Sequence, residues 1–308
     1  MEAATSAERR IHVPVLLKET IEGLSLRPGA KVIDGTVGAG GHAAAALERT
    51  SPDGLLLGMD LDEAALEAAR SKLARFGSRV MLVRENYKNV ERVLLTHSFG
   101  PAQAALLDLG FSSLAVDDPG RGFSFRFDGP LDMRFDPEQE LTAAAAVNGW
   151  TADELTEIIV KFGEERFARR IAGAIVAARR RERIIGTLQL VDVIASAVPA
   201  AYRRGPIHFA TRTFQALRIA VNDELGNLTA ALPAMVRALA PGGRLAVISF
   251  HSLEDRIVKR FFKEQERHGT LRALTKRPIV AGPEETAANP RSRSAKLRVA
   301  EITANKPT

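Results

Sequence analysis

VIDGTVGAGGH, residues 32–42, carries the strongest fold signal in the chain. An apolar strand ends at Asp34, four glycines follow within the next seven residues, and a helical pattern begins at Ala43. Glycine lets the backbone turn sharply and lets a ligand approach the main chain, and the first turn of a helix offers free N–H groups. The stretch therefore predicts a nucleotide-cofactor turn on a parallel sheet. A glycine-rich turn without a ligand is the alternative.

Strand and helix patterns alternate around this turn. Strands are predicted at 31–34, 55–60, 80–83 and 104–108, and helices at 14–24, 43–49, 62–75 and 90–96. Asp62 is a plausible cap for the third of these helices. Such alternation is typical of right-handed βαβ units. Near the C-terminus we predict a strand at 244–250, a helix at 253–266, a mobile loop at 268–294 and a closing strand at 296–302.

The alternation is interrupted in the middle of the chain. Residues 110–137 are rich in Gly, Pro, Asp and Phe without a clear period, which indicates a long functional loop. Helical patterns follow at 143–147, 153–161, 164–183 and 187–197, and helix returns at 211–240. We therefore predict an α/β cofactor domain of residues 1–111 and 209–308, with an inserted, mostly helical substrate domain of residues 112–208.

Composition narrows the functional classes. Among 308 residues there is no cysteine, which excludes disulfides, cysteine nucleophiles and cysteine-based zinc sites. The six histidines are scattered without ligand spacing, so no metal site is predicted. No apolar run is long enough for a transmembrane helix, and the N-terminus lacks a signal-peptide pattern. The net charge of +6 modestly favours a polyanionic partner.

Two cofactors compete for the glycine turn. Residues 38–43 satisfy the dinucleotide pattern GxGxxA, and Asp60 follows at the distance of a ribose-binding acid, so an NAD-dependent oxidoreductase is one candidate. However, Asp34 would repel a pyrophosphate and attract the α-ammonium of a methionine moiety. No hydride-transfer module follows the turn. We therefore favour S-adenosylmethionine, which carries no phosphate.

The carboxyl ends of the other predicted strands supply further candidates, because ligands of open α/β sheets bind there. Asp60 can hold the ribose hydroxyls, or alternatively begin the next helix. Tyr87 follows the third strand and can lie against the adenine ring, or be an aromatic at the rim. Asp108 ends the fourth strand, where the reacting group must meet the cofactor.

Several longer blocks closely resemble the bacterial 16S rRNA cytosine-N4 methyltransferase family, known as RsmH or MraW. The blocks are HVPVLL (12–17), DGTVGAGGH (34–42), DLGFSS (108–113), RGFSF (121–125), DGPLDMRF (128–135), GEERFARRI (163–171), ATRTFQALRI (210–219), GGRLAVISFHSLEDRIVKR (242–260) and NPRSRSAKLR (289–298). They cover essentially the whole chain, and blocks such as RGFSF have no generic explanation.

This resemblance implies a class I (Rossmann-like) methyltransferase sheet with an inserted helical subdomain, S-adenosylmethionine as donor, and a cytidine of the ribosomal decoding region as target. Cofactor contacts then fall on Gly40, Gly41, His42, Asp60, Tyr87, Asp108 and Ala115. The family usually has glutamine at the position of Ala115, so any contact there must be main-chain or apolar. The tyrosine hydroxyl at position 87 is not expected to be required.

The predicted chemistry centres on Asp108 as the catalytic residue. The cytosine N4 lone pair is delocalised into the ring, and an acceptor that holds the amine protons would localise it. Asp108 is the candidate acceptor, with Ser112 and Ser113 shaping the pocket. The candidate stacking or wedge residues are Phe111, Phe123 and Phe125, for which a small loop core is the alternative. His251 can face the cleft, although a lone histidine is more often structural.

The expected partner is 16S rRNA or the small ribosomal subunit, in the cytoplasm and without a membrane. RNA contacts are predicted at basic clusters, which otherwise are ordinary solvated helix faces: Arg166, Arg169 and Arg170; Arg179, Arg180, Arg181 and Arg183; Arg203 and Arg204; and Arg291, Arg293 and Lys296. A homodimer is left open by the sequence. A ribosome-assembly factor that binds rRNA without catalysis is the non-enzymatic alternative.

Overall fold

The computed structural model describes residues 14–110 and 118–303, and in these ranges it contains one seven-stranded sheet of order β3-β2-β1-β4-β5-β7-β6. The strands are β1 Val32–Asp34, β2 Leu56–Asp60, β3 Val80–Arg84, β4 Ala102–Asp108, β5 Leu239–Ser249, β6 Leu271–Ala273 and β7 Lys296–Ile302. The first five in chain order are parallel, β7 is antiparallel to β5, and β6 is antiparallel to β7. The predicted α/β class is confirmed.

Helices cover both faces of the sheet. In chain order they are α1 Leu17–Leu24, α2 Gly41–Arg49, α3 Glu63–Leu73, α4 Val90–Thr96, α5 Ala143–Gly149, α6 Ala152–Gly163, α7 Ala168–Arg179, α8 Thr187–Ala197, α9 Ala200–Arg203, α10 Thr211–Asn222, α11 Glu224–Ala238, α12 Ser252–Arg267 and α13 Pro283–Ala288. Over the described residues, none of the helices has both the length and the apolar character needed to cross a bilayer.

The strands are apolar on both sides because two separate cores sandwich the sheet. In β4, Ala105 and Leu107 pack with α4, α11 and α12, whereas Ala104 and Leu106 pack with α1, α2 and α3. Successive side chains of a strand point to opposite faces, so one short apolar run serves both cores. Because β1 to β5 are parallel, their carboxyl ends lie together at one edge of the sheet.

A third core belongs to the helical part of the chain. It is formed by apolar side chains from residues 131–221, including Leu155 of α6, Ile171 of α7, Leu190 of α8 and Leu217 of α10. Helix α10 lies after residue 208, where the predicted helical domain ends, yet its side chains pack into the core of that domain. The division of the chain into two folding units remains a prediction.

Three predicted elements differ from the structure. The helix predicted over 164–183 is shorter in the structure, Ala168–Arg179, and left-handed Glu164, with φ of 49°, ends the preceding helix instead. The helix predicted over 211–240 is interrupted at Asp223, which is also left-handed, with φ of 47°. The loop predicted over 268–294 contains β6, α13 and a 3₁₀ helix, Pro290–Ser294. Pairing of β6 with β7 stabilises the first of these pieces, which the polar sequence does not reveal.

Candidate cofactor and catalytic site

Three carboxylates lie at the carboxyl ends of adjacent strands. Asp34 ends β1 and pairs in register with Gly58 of β2 and Leu106 of β4, while Asp60 and Asp108 lie two residues farther along those strands. The structure thus brings the predicted acids to one edge of the sheet. The roles assigned to them remain predictions, which the geometry below supports.

The glycine turn is tied to this edge by main-chain hydrogen bonds. Gly35 donates its N–H to the Leu106 carbonyl, and Gly38 donates to Asp60 Oδ2 over 2.9 Å. Gly40 has φ of 77°, a conformation that favours glycine, and a Cβ on Gly41 would lie 2.3 Å from Cγ of Pro14. The glycine at position 41 therefore has a packing reason, and cofactor contacts at positions 40 and 41 stay predictions.

Asp34 and Asp60 are held in surroundings that favour their neutral forms. Burial raises the pKa of Asp34 to about 7, opposed by the Thr36 N–H and reinforced by the charge of Asp60. Burial likewise raises the pKa of Asp60 to about 6, opposed mainly by the N–H groups of Asp62 and Gly38. Asp62, as predicted, caps α3 by accepting the Ala64 N–H over 3.0 Å. Asp60 is thus free of the capping role.

Asp108 is the most unusual group at the edge. Its Oδ1 is buried and has no hydrogen-bond partner among residues 14–110 and 118–303, and its Oδ2 lies 3.5 Å from Nδ1 of His42. Burial, with the charges of Asp34 and Glu254, raises the pKa of Asp108 well above its ordinary value. A buried acceptor without a donor is rare in proteins, and at the end of β4 this oxygen is available to a hydrogen-bond donor of a ligand.

His42 connects Asp108 to the N-terminal segment. Its Nε2 lies 3.0 Å from the carbonyl oxygen of Val15, which can only accept a hydrogen bond, so Nε2 carries a proton. A neutral ring then turns the lone pair of Nδ1 toward Asp108. Attraction at 3.5 Å requires a proton on Nδ1 or on Asp108, which agrees with the raised pKa of Asp108. His42 thereby orients the carboxyl group, and its cofactor contact stays a prediction.

Tyr87 faces a group of buried residues that sequence reasoning missed. It begins a 3₁₀ helix, Tyr87–Asn89, directly after β3 and packs against the core. Burial raises the pKa of its hydroxyl, and the charges of Glu224, Glu254 and Asp223 raise it further. The phenol is therefore neutral. Its contact with an adenine ring remains a prediction.

Glu224, His251 and Glu254 lie together beside Tyr87, with ligand atoms within 4.8 Å of one another. Arg218 binds both oxygens of Glu224, at 2.7 and 2.9 Å. His251 is the N-cap of α12, and Glu254 accepts the Phe250 N–H over 2.8 Å and lies 3.3 Å from Nε2 of His251. Arg218 thus balances the charge of Glu224 within the protein. The capping role of His251 supports its structural alternative, and the expectation of no metal site stays a prediction.

Only part of this cluster was readable from the sequence. The run from His251 to Glu254 has the spacing of a capping box, in which the N-cap and the third helical residue exchange bonds. The ion pair of Arg218 with Glu224 spans a left-handed residue, Asp223, at the junction of α10 and α11. No local pattern predicts that junction, so packing alone brings Glu224 to His251.

Two of the predicted stacking phenylalanines, Phe123 and Phe125, pack against other aromatic rings of the protein. Phe123 stacks on Phe135 with ring centroids 5.4 Å apart, and Phe125 stacks on His208 at 4.5 Å. These contacts support the loop-core alternative for both. The other residues predicted to shape this pocket lie outside the described residues, namely Phe111, Ser112, Ser113 and Ala115.

Arg121, from the RGFSF block, joins this loop to the edge of the sheet that carries Asp34, Asp60 and Asp108, here called the cofactor edge. Its Nη1 donates to Asp62 Oδ2 over 2.9 Å, and its Nη2 donates to the carbonyl of Arg134 over 2.9 Å. Asp62 is only two residues beyond Asp60. The sequence motif singles out Arg121, but it does not predict that its partner is Asp62, 59 positions away.

The predicted basic clusters differ in what they offer to RNA. Arg179 donates to the carbonyls of Val147 and Trp150, so its guanidinium is used within the helical part. Arg166 and Arg170 lie over the ring of Phe167. The clustered arginines that are exposed are Arg166, Arg169, Arg170, Arg180, Arg181, Arg183, Arg203, Arg204, Arg291 and Arg293. RNA contact at these positions stays a prediction.

Comparison with known proteins extends over nearly the whole chain. The sequence model of the MraW methylase family matches residues 9–303. Ribosomal RNA small subunit methyltransferase H of Symbiobacterium thermophilum is 51% identical, covering 93% of this chain and 95% of that protein. The proteins of the same name from Heliobacterium modesticaldum and Geobacter sulfurreducens are 51% and 52% identical, each match covering 94% of this chain and 98% of the relative.

Proposed function

Because this chain belongs to the MraW methylase family, we propose that it is an S-adenosylmethionine-dependent methyltransferase of 16S ribosomal RNA that modifies the exocyclic N4 amine of a cytidine in the decoding region. Its relatives at about half identity carry the name ribosomal RNA small subunit methyltransferase H. The structural observation that carries the proposal is Asp108 at the end of β4, whose buried Oδ1 has no donor within the part of the chain that the structure describes.

The residues of the edge fit this cofactor better than a dinucleotide. S-adenosylmethionine is cationic at its ammonium and sulfonium groups, and a buried carboxylate favours a nearby cation. Asp34 would bind the ammonium, and Asp60, beside the glycine turn, would accept from the ribose hydroxyls. A pyrophosphate at the same edge would face three carboxylates, so the oxidoreductase alternative is disfavoured on charge.

The protein's contribution to the reaction is alignment and proton management. S-adenosylmethionine supplies a methyl group already activated by the sulfonium charge. The target base must leave its stack to reach the edge of the sheet. Asp108, ionised beside a bound cation, would then accept the N4 amine protons through Oδ1. His42 holds the other oxygen, so the orientation of the carboxylate is set before the substrate arrives.

The direct test is methyl transfer to small ribosomal subunits, followed by mass spectrometry of the rRNA nucleosides. Wild-type protein should form N4-methylcytidine. At saturating cofactor, Asp108→Asn should lower turnover by roughly 10²- to 10⁴-fold, because the acceptor is lost while the shape is kept. Asp153→Asn, an exposed carboxylate on α6, is the matched control. Turnover of Asp108→Asn close to that of the control would remove the acceptor role.

Two simpler measurements separate the alternatives. Titration with S-adenosylhomocysteine and with NADH should show binding of the first alone, and the reverse result would favour the oxidoreductase. A pure assembly factor would bind rRNA without any methyl transfer. We place the reaction in the cytoplasm, where small subunits are assembled. The homodimer stays a prediction, which sedimentation of the pure protein would test.

A further inference from the structure

One phenylalanine of the long loop is exposed, in contrast to its neighbours. Phe127 is 65% exposed, whereas Phe123 and Phe125 stack on other rings. Two more large apolar side chains exposed in the same region are Ile185 at 64% and Leu188 at 40%. Exposed aromatic and aliphatic groups gathered in one place commonly mark a binding surface.

The backbone holds these three residues side by side. Thr187 donates its hydroxyl to the Phe127 carbonyl over 3.0 Å, and Leu188 donates its N–H to Asp128 Oδ1 over 3.2 Å. Leu131 donates its N–H to the Ile185 carbonyl over 2.8 Å. The loop therefore runs beside the start of α8, and the patch is fixed before any partner binds.

Exposed arginines lie close to these residues in the sequence. In the part of the chain that the structure describes, no ion pair engages the exposed side chains of Arg126, Arg180, Arg181 and Arg183. By contrast, Arg70 of α3 pairs with Glu63 and Glu67, and Arg75 pairs with Glu48. The acids in the same segments are Glu182, which is exposed, and Asp128, whose Oδ1 already accepts backbone N–H groups. The patch is therefore positively charged and open to phosphates.

We propose that Phe127, Ile185, Leu188 and these four arginines form a docking surface for single-stranded RNA that flanks the target cytidine. The proposal rests on the proposed function. Unstacked bases bind to aromatic side chains, and arginines bind the adjoining phosphates. A second copy of this chain would bring the arginines against one another across a twofold axis, which disfavours that occupant.

The surface is also within reach of the cofactor edge. Arg121 is bonded to Asp62 at that edge, and Phe127 follows it by six residues. A fully extended chain of six residues spans at most about 22 Å, so Phe127 lies within that distance of Arg121. RNA that contacts Phe127 can therefore belong to the segment that delivers the target base.

Substitutions at Phe127 test the stacking contact. Phe127→Ala and Phe127→Leu should both raise the KM for the RNA substrate, by about 5- to 150-fold, whereas Phe127→Tyr should stay near wild type. Turnover at saturating RNA and affinity for S-adenosylmethionine should not change. Leu95→Ala, at an 82% exposed position on α4, is the control for loss of an exposed apolar group. A Leu variant that behaves like wild type would indicate an apolar protein contact and overturn the proposal.

The arginines are tested by the salt dependence of RNA binding. Arg181→Gln combined with Arg183→Gln should reduce the slope of log K against log salt by about 1.4, since each single-strand phosphate contact contributes about 0.7. Arg70→Gln combined with Arg75→Gln removes the same charge at α3 and just after it, and this control pair should leave the slope unchanged. An unchanged slope in the first pair refutes the surface. If wild-type protein itself transfers no methyl group to small subunits, the proposed function fails instead.

Discussion

Replacing Asp34 with asparagine should stabilise the cofactor-free protein at neutral pH while weakening cofactor binding. Asp34 is 2% exposed, and burial is the main reason that its pKa rises from 3.8 to about 7. Native protein therefore holds this proton more tightly than unfolded protein does. The free energy of unfolding of the wild type should fall as pH rises from about 4 to about 7, and asparagine removes that loss.

The size of the effect follows from the same two pKa values. A difference of about 3 pKa units, at about 1.36 kcal/mol per unit, gives about 4 kcal/mol as an upper limit at pH 7.5. Well below the unfolded-state pKa of 3.8 the carboxyl group is protonated in both states, so the variant and the wild type should differ little there. Asparagine keeps an oxygen that can accept the Thr36 N–H. Its new amide protons need acceptors, which will reduce the gain.

Urea unfolding of the cofactor-free protein at pH 4.5, 6.0 and 7.5 measures this difference directly. The gain of Asp34→Asn should increase at each step, and calorimetry should show weaker binding of S-adenosylmethionine. Asp192→Asn, at an exposed position on α8, controls for loss of one negative charge. A difference that is constant with pH, or a variant less stable than wild type at pH 7.5, would refute the reasoning.

Further predictions concern packing and a buried ion pair. Arg218→Met should lower the free energy of unfolding by about 3–5 kcal/mol, because Glu224 is left buried without its partner, and adding Glu224→Gln should recover part of that loss in urea unfolding. Gly41→Ala should lower the thermal midpoint, since its Cβ would overlap Pro14. Gly173→Ala, within α7 and with open space around the new methyl group, should instead stabilise by up to about 1 kcal/mol.

The elements that the sequence predicted well are those whose signals are local. Val90–Thr96 and Thr187–Ala197 have the predicted bounds, because each is a short apolar period with clear ends. The capping of α3 by Asp62 was likewise readable, since an N-cap acts within three residues. The strand ends followed from the alternation, and with them the shared edge of Asp34, Asp60 and Asp108.

What the sequence did not predict depends on contacts between distant residues. Glu164 adopts its left-handed conformation where Arg212 donates to its carbonyl over 2.8 Å, and a Cβ on Gly163 would lie 2.6 Å from the Arg212 carbonyl oxygen. Close packing of α10 on α6 accompanies the end of this helix, which Gly163, a poor helix former, also favours. Asp223 separates α10 from α11 in the same manner and carries Glu224 to the cofactor edge.

The residues of the cofactor edge lower the stability of the cofactor-free protein. Three carboxylates with raised pKa values at one edge, and a buried oxygen without a donor, all weaken the cofactor-free protein. A bound cation would reverse each of these effects, so part of its binding free energy comes from groups that folding left unsatisfied. The carboxylates that lower stability would therefore also distinguish a sulfonium cofactor from a phosphate-bearing one. Replacing any of the three should accordingly move stability and cofactor affinity in opposite directions.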